Sequence, residues 1–194
     1  MVKNKPHQRL IVAISGASGA AYGITALRLL KRAGVESHLV VSKAAALSLS
    51  VETPLSLAEV HALADYSYKP GDIGATIASG SFRTMGMLIA PCSIKSLGEI
   101  ATGVTATLVS RAADVCLKER RRLVLMVRES PLHLGHLRTM VAVTEMGAIV
   151  APPMPALYTQ PQTIEDVITQ SVGRALDLFD IDADIERWQG LTST

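Results

Sequence analysis

The sharpest chemical signal in the chain is the adjacent pair Arg128-Glu129, which directly follows an apolar run at 123–127. A guanidinium can hold a phosphate through a planar fork of donors. A carboxylate beside it can move a proton when its pKa suits the task. Taken alone, the pair also reads as a surface ion pair. Ser15-Gly16-Ala17-Ser18-Gly19 is a second candidate. Its glycines let backbone approach a ligand, and the helix that follows offers unpaired amides to an anion. The same segment reads equally as a tight turn with Ser18 as the helix cap. It matches neither the dinucleotide fingerprint nor the P-loop. A third segment, Ala90 to Ser96, offers Ser93 as a cap, Lys95 as a charge and Cys92 as a thiol. Cys92 reads as small apolar packing rather than as a nucleophile.

Lys118-Glu119-Arg120-Arg121-Arg122 places four of the 19 basic residues in five positions. It reads as a solvated helix end whose cations complement the dipole, or as a local anion patch. His133 and His136 lack a cysteine or carboxylate at ligand spacing, so they read as surface histidines rather than metal ligands.

These groups need elements to position them. A continuous apolar run at 9–15 predicts a strand buried on both faces, and 35–42, 85–90, 123–127 and 148–151 read as four further strands. Helical patterns follow at about 20–34, 43–66 with a break at Thr53-Pro54, 94–119 with a break near Gly103, 133–146 and 164–179. On the helix at 133–146, Leu134, Leu137, Met140, Val141 and Thr144 share one side. Thr163 to Asp166 reads as a capping box. Residues 67–84 read as a long loop, which in a compact domain is usually functional. Strand and helix alternate, which predicts an α/β fold: one doubly wound, Rossmann/flavodoxin-like parallel sheet with helices on both faces. Residues 1–194 read as a single domain, with terminal extensions at 1–8 and 183–194. Ligands in such sheets bind beyond the carboxyl ends of the strands. That singles out 15–19, 42–43, 91–96, 128–133 and 152–158.

Composition narrows the function. The chain has 194 residues, a net charge of +2, 48% hydrophobic residues and only 4% aromatics. That excludes disorder and argues against a nucleic-acid binder, which needs basic surface and stacking rings. Two cysteines cannot staple a domain of this size, which points to a reduced intracellular compartment. No apolar run is long enough to span a bilayer.

Six segments in order, 15–23, 40–45, 78–93, 111–121, 127–140 and 155–167, resemble the UbiX-type flavin prenyltransferases. The resemblance implies a cytoplasmic, metal-independent enzyme. Its members move a dimethylallyl group from dimethylallyl phosphate to N5 and then C6 of reduced FMN. The product, prenylated FMN, serves UbiD-type decarboxylases. The resemblance also implies a homo-oligomer, a dodecamer, with sites between subunits.

Residue by residue, Gly16, Ala17 and Ser18 match the first flavin-binding turn, and Ser42 the serine after strand two. Ser93, Ile94, Lys95 and Ser96 match the flavin-contacting segment, and Arg111 a nearby arginine. Arg128 matches the arginine between flavin and prenyl phosphate. Lys118, Tyr158 and Arg174 match the prenyl-phosphate clamp. Glu129 matches the acid/base of ring closure, with Ser18 close by, and Glu52 an acid at the site's edge. The separated cations Arg111, Lys118, Arg128 and Arg174 are expected to converge on one anionic pocket. Ile73 stands where some relatives have a tryptophan over that pocket. Two alternatives compete: an FMN carrier or accessory subunit of a decarboxylase, and a peptidyl-cysteine decarboxylase. The latter use an early catalytic histidine and an Asn-containing P-x-M-N segment. Here His7 lies in the N-terminal extension, and Pro152-Pro153-Met154-Pro155 has no asparagine.

Overall fold

A computed structural model describes residues 8–190. His7 and most of the proposed N-terminal extension lie outside them, as do residues 191–194 of the C-terminal one. Six parallel strands form one sheet in the order β3-β2-β1-β4-β5-β6. They are β1 (Arg9–Ile14), β2 (Glu36–Val41), β3 (Tyr66–Tyr68), β4 (Gly86–Cys92), β5 (Arg122–Val127) and β6 (Ile149–Val150). This is the doubly wound order, and it reverses between β1 and β4.

Alternation along the buried strands builds two cores. Leu10, Val12 and Ile14 of β1, with Leu88 of β4 and Val124 and Met126 of β5, face one layer. That layer holds α1 (Ala20–Arg32), α2 (Lys43–Glu52), α3 (Leu57–Ala62) and α7 (Ile164–Asp177). Ile11, Ala13, Met87, Ile89, Leu123 and Leu125 face the other. There α4 (Ile94–Thr102), α5 (Leu108–Lys118) and α6 (Leu134–Glu145) cover the sheet.

Four elements differ from the sequence reading. The stretch at 67–84 is not all loop, and the helical reading does not reach residue 66, because Tyr66–Tyr68 pairs with β2 as an edge strand. Three residues are too few for an alternation signal, and the strand is held instead by His38, whose ring stacks 4.9 Å from Tyr66. A 3-10 turn follows at Thr76–Ala78 and buries Ile77 and Ala78. Strand β4 continues through Pro91 to Cys92, with a register shift against β5 between Ile89 and Cys92. On α6 the apolar stripe points outward. Leu134, Leu137 and Val141 are about half exposed, and Val143 alone of this helix is buried.

Helix α1 lies unusually close to the sheet because it carries Gly23. A Cβ there would sit 2.5 Å from both the Ala90 carbonyl oxygen and Ile14 Cγ1. Gly23→Ala should therefore force α1 outward and destabilise the fold by about 1–3 kcal/mol. Urea denaturation of the two proteins measures this, and equal midpoints would contradict it.

Candidate active site

The site starts at the switch point. The Ser15 hydroxyl at the end of β1 donates to the Pro91 carbonyl at 2.9 Å and accepts from the Ser93 amide at 2.7 Å. The ends of β1 and β4 are thereby tied together. The Arg128 amide donates to the Cys92 carbonyl at 3.0 Å, which adds the end of β5 to the same rim.

Three helices begin on this rim, each capped by its own hydroxyl. Ser42 accepts from Ala45 N in α2, Ser93 from Ser96 N in α4, and Thr107 from Ser110 N in α5. Their N-termini converge on a cleft of about 410 Å³ lined by Gly16, Ser42, Ser93, Lys95, Ser96 and Thr107, among others. Converging positive helix ends favour an anion. A Cβ on Gly16 would lie 2.4 Å from Ala44 Cβ, so only glycine lets the first loop close this wall. Pro70 and Gly71 form part of the lining, and the Pro70 carbonyl is held by the Leu108 amide at 2.9 Å.

A second cleft of about 200 Å³ shares Gly16, Ser93 and Lys95 with the first. It adds Ala17, Ser18, Ile94, Arg128 and Glu129. The Ile94 and Lys95 amides at the start of α4 take no acceptor among the described residues. The Glu129 carboxylate accepts only from the Ser130 amide there, at 3.0 Å, and is exposed. Lys95 pairs with Glu99 along α4.

The N-terminus of α1 is arranged differently from the sequence reading. Its cap is Gly19, at φ 105°, with no side-chain bond, so Ser18 is not the cap. Glu52 from the end of α2 fills the anion position instead, and accepts from Gly19 N at 2.8 Å and Ala20 N at 2.9 Å. Burial opposes its charge. The two amides, the Ser18 hydroxyl and the nearby Arg128 outweigh burial and hold its pKa below the usual carboxylate value. Burial pushes the Tyr22 phenol up, partly offset by Arg128.

The remaining predicted residues lie elsewhere in the chain. Arg111 pairs with Asp114 at 2.8 Å on α5 and lines neither cleft. Lys118 ends α5 and pairs with Glu119 at 2.6 Å. Arg174, in the last turn of α7, pairs with Asp177. Tyr158 accepts from Gln170 Nε2 at 3.3 Å. Helix α5 runs back to the start of β5, and α7 ends where Arg122 of β5 reaches the Leu178 carbonyl. Both last turns therefore lie at the opposite edge of the sheet from Arg128, about 20 Å away along a six-residue strand. Within one chain the four cations do not converge.

Thr107 and Pro70 escaped the sequence reading. Thr107 announces itself only as a cap four residues after the break at Gly103, and Pro70 only through its tie to α5. Ile73 is largely exposed and lies outside both clefts. His133 caps α6 by accepting from Gly135 N at 3.0 Å and lies, centroids 3.6 Å apart, against the tilted ring of His136, whose Nδ1 is buried without a partner among the described residues. Among the described residues no group of three His, Cys, Asp or Glu could hold a metal ion, and no helix is long and apolar enough to cross a membrane.

A doubly wound sheet with helix N-termini, hydroxyls and two cations at its switch point defines a protein class that binds a phosphorylated ligand in that crevice. Residues 2–175 match the family described as Flavoprotein. The chain is 56% identical to the flavin prenyltransferase UbiX of Neisseria meningitidis serogroup B over 185 residues, covering 95% of this chain and 98% of that one. It superimposes with a TM-score of 0.94 on the crystal structure of AnUbiX (PadA1) in complex with FMN and dimethylallyl pyrophosphate. That protein is 51% identical, with 96% of this chain and 100% of that one covered. The TM-score is 0.92 against a dodecameric FMN-dependent UbiX-like decarboxylase from Escherichia coli O157:H7, at 49% identity and with 94% and 100% covered. The chain belongs to the UbiX flavin prenyltransferases, within the flavoprotein family.

Two outcomes follow from this geometry. Glu52→Gln should lower stability at neutral pH by about 0.5–1 kcal/mol, the low end of a capping contribution because the carboxylate is exposed. The folded pKa of Glu52 lies below its unfolded value of about 4.3. The wild-type advantage is therefore full above that value and fades as pH falls through the lowered one. Urea midpoints of both proteins across the acid range test this, and an advantage that persists undiminished in acid refutes it. Burial also pushes Cys92 and Cys116 up to about 12. Neither thiol should react with iodoacetamide until the protein is unfolded, as read by intact mass.

Proposed function

We propose that the chain transfers a dimethylallyl group from dimethylallyl phosphate to N5 and then C6 of reduced FMN, making prenylated FMN for a UbiD-type decarboxylase. The observation that carries this reading is the joined cleft, where a phosphate-binding rim meets Arg128 and Glu129. The donor set suits FMN. Ser42, Ser93, Ser96 and Lys95, with the free amides of α4, would hold it. Gly16, Ala17 and Ser18 would lie against its ring, and Arg111 nearby. Bound there, the reduced flavin supplies the nucleophilic nitrogen and the aromatic carbon.

Loss of the phosphate leaves the allylic carbon cationic. Cations fixed in advance around the leaving oxygens lower that barrier without reorganising. Arg128 stands at the cleft for this task. Lys118, Tyr158 and Arg174 would join it from neighbouring copies of the chain, because a single copy keeps Lys118 and Arg174 at the far edge of the sheet and ties Tyr158 to α7 through Gln170. The outward apolar stripe of α6 supports such an assembly, a dodecamer in this reading. Ring closure consumes the prenyl double bond: one of its carbons takes up a proton while the other bonds C6, and C6 then gives up its own proton, which the exposed carboxylate of Glu129, beside Ser18, would take. A positioned base contributes about 10²–10⁴-fold. The two cysteines are buried and unpaired, in keeping with a cytoplasmic enzyme.

Anaerobic incubation with FMN, reductant and dimethylallyl phosphate should give a flavin heavier by one five-carbon unit. Its absence, with both mono- and diphosphate donors, would refute the reading. Glu129→Gln should bind FMN normally and stop before the tetracyclic product. Wild-type ring closure in that variant would remove Glu129 from the role.

A further inference from the structure

The C-terminal segment after α7 turns back along that helix and touches it at three places. Arg187 grips both oxygens of Asp177, with Nη1 to Oδ2 and Nη2 to Oδ1 each at 2.8 Å. It is itself steadied by Asp182 at 3.2 Å. Ile185 fills the notch over Gly173, where a Cβ would meet Ile185 Cγ2 at 2.3 Å. The Glu186 carbonyl accepts from Gln170 Nε2 at 2.9 Å. The same Gln170 amide donates to Tyr158 Oη at 3.3 Å, and Trp188 packs edge-on to Tyr158 with centroids 5.7 Å apart.

Each contact lands on, or beside, a residue assigned above to the prenyl phosphate. Asp177 also bonds Arg174, three residues before it on α7. The carboxylate is mostly buried, at 16% exposed, while the Arg174 side chain is 57% exposed. Arg187 forms the two-toothed pair, the stronger geometry for a carboxylate. Arg174 is left with one shared oxygen, and more than half of its side chain is exposed. Without Arg187, both oxygens of Asp177 would be free to close on Arg174 and draw it down onto the helix.

We propose that residues 182–188 form a strap that positions the donor-phosphate group. Arg187 occupies Asp177 so that Arg174 stays available to phosphate, while Gln170 and Trp188 hold Tyr158 in place. This rests on the reading of Arg174 and Tyr158 as phosphate-holding residues. Arg187, Gln170 and Trp188 act through those two side chains and are positioning residues.

The test is steady-state prenylation by the full chain, varying dimethylallyl phosphate at saturating reduced FMN. Arg187→Ala should raise the donor KM roughly tenfold and leave kcat within about twofold, with FMN affinity unchanged. Adding Asp177→Asn should restore most of the donor KM, because a neutral amide no longer captures Arg174. A strap that merely stabilised the fold would not be rescued by losing a second anchor. Arg187→Lys keeps the charge without the fork and should show a smaller rise, recovered in the same way. An unchanged donor KM in Arg187→Ala, or no recovery with Asp177→Asn, overturns the proposal. Arg174→Ala is run alongside. If it leaves the donor KM unchanged, the phosphate reading of Arg174 itself fails, and the strap's role with it. If it raises the donor KM, Arg187→Ala should add nothing in that background.

Discussion

Ser15 holds together the two strands between which the sheet reverses. One hydroxyl donates to the Pro91 carbonyl and accepts from the Ser93 amide, and is almost fully buried. A buried hydroxyl stripped of those partners would leave polar groups unsatisfied at the rim of the site. With it in place, the starts of α1 and α4 are set side by side, and the Arg128 amide on Cys92 brings β5 into the same frame. The geometry of the cleft follows from this rim. Its walls are backbone and small side chains, as expected in a chain with few aromatic rings.

The rim divides electrostatic labour among helices. Those that begin at Ser42, Ser93 and Thr107 aim their positive ends at the larger cleft. Helix α1 does not, because Glu52 has already taken its first amides. A carboxylate is thus fixed between Ser18 and the field of Arg128, so the two ends of the joined cleft differ in character. One end suits a phosphate, and the other places acid groups beside a cation. A reaction that expels a phosphate and then moves a proton needs both.

Much of this was legible in the sequence. The runs at 9–15 and 123–127 are apolar without alternation, which only a strand covered on both faces tolerates. The alternation of elements gave a parallel sheet, and the sheet placed 15–19, 91–96 and 128–129 at one edge. Tyr66–Tyr68 was not legible, because an edge strand of three residues is held by ring stacking on His38 and not by any pattern of its own. The stripe of Leu134, Leu137 and Val141 was legible as a stripe, but periodicity does not say whether it faces the core or another molecule.

The sequence by itself determined the fold class, the family and the residue types at the strand ends. These depend on local patterns and on short motifs in a fixed order. The tertiary structure alone decided which charges share a space. Arg128 and Glu129 meet Ser18 at the switch point, whereas Lys118 and Arg174 end helices that run back to the far edge of the sheet. Glu52 reaches the first turn of α1 from 32 residues away, and Arg187 reaches Asp177 from beyond the end of α7. Such meetings depend on the path of the backbone and the direction of each helix, which no stretch of sequence carries within itself.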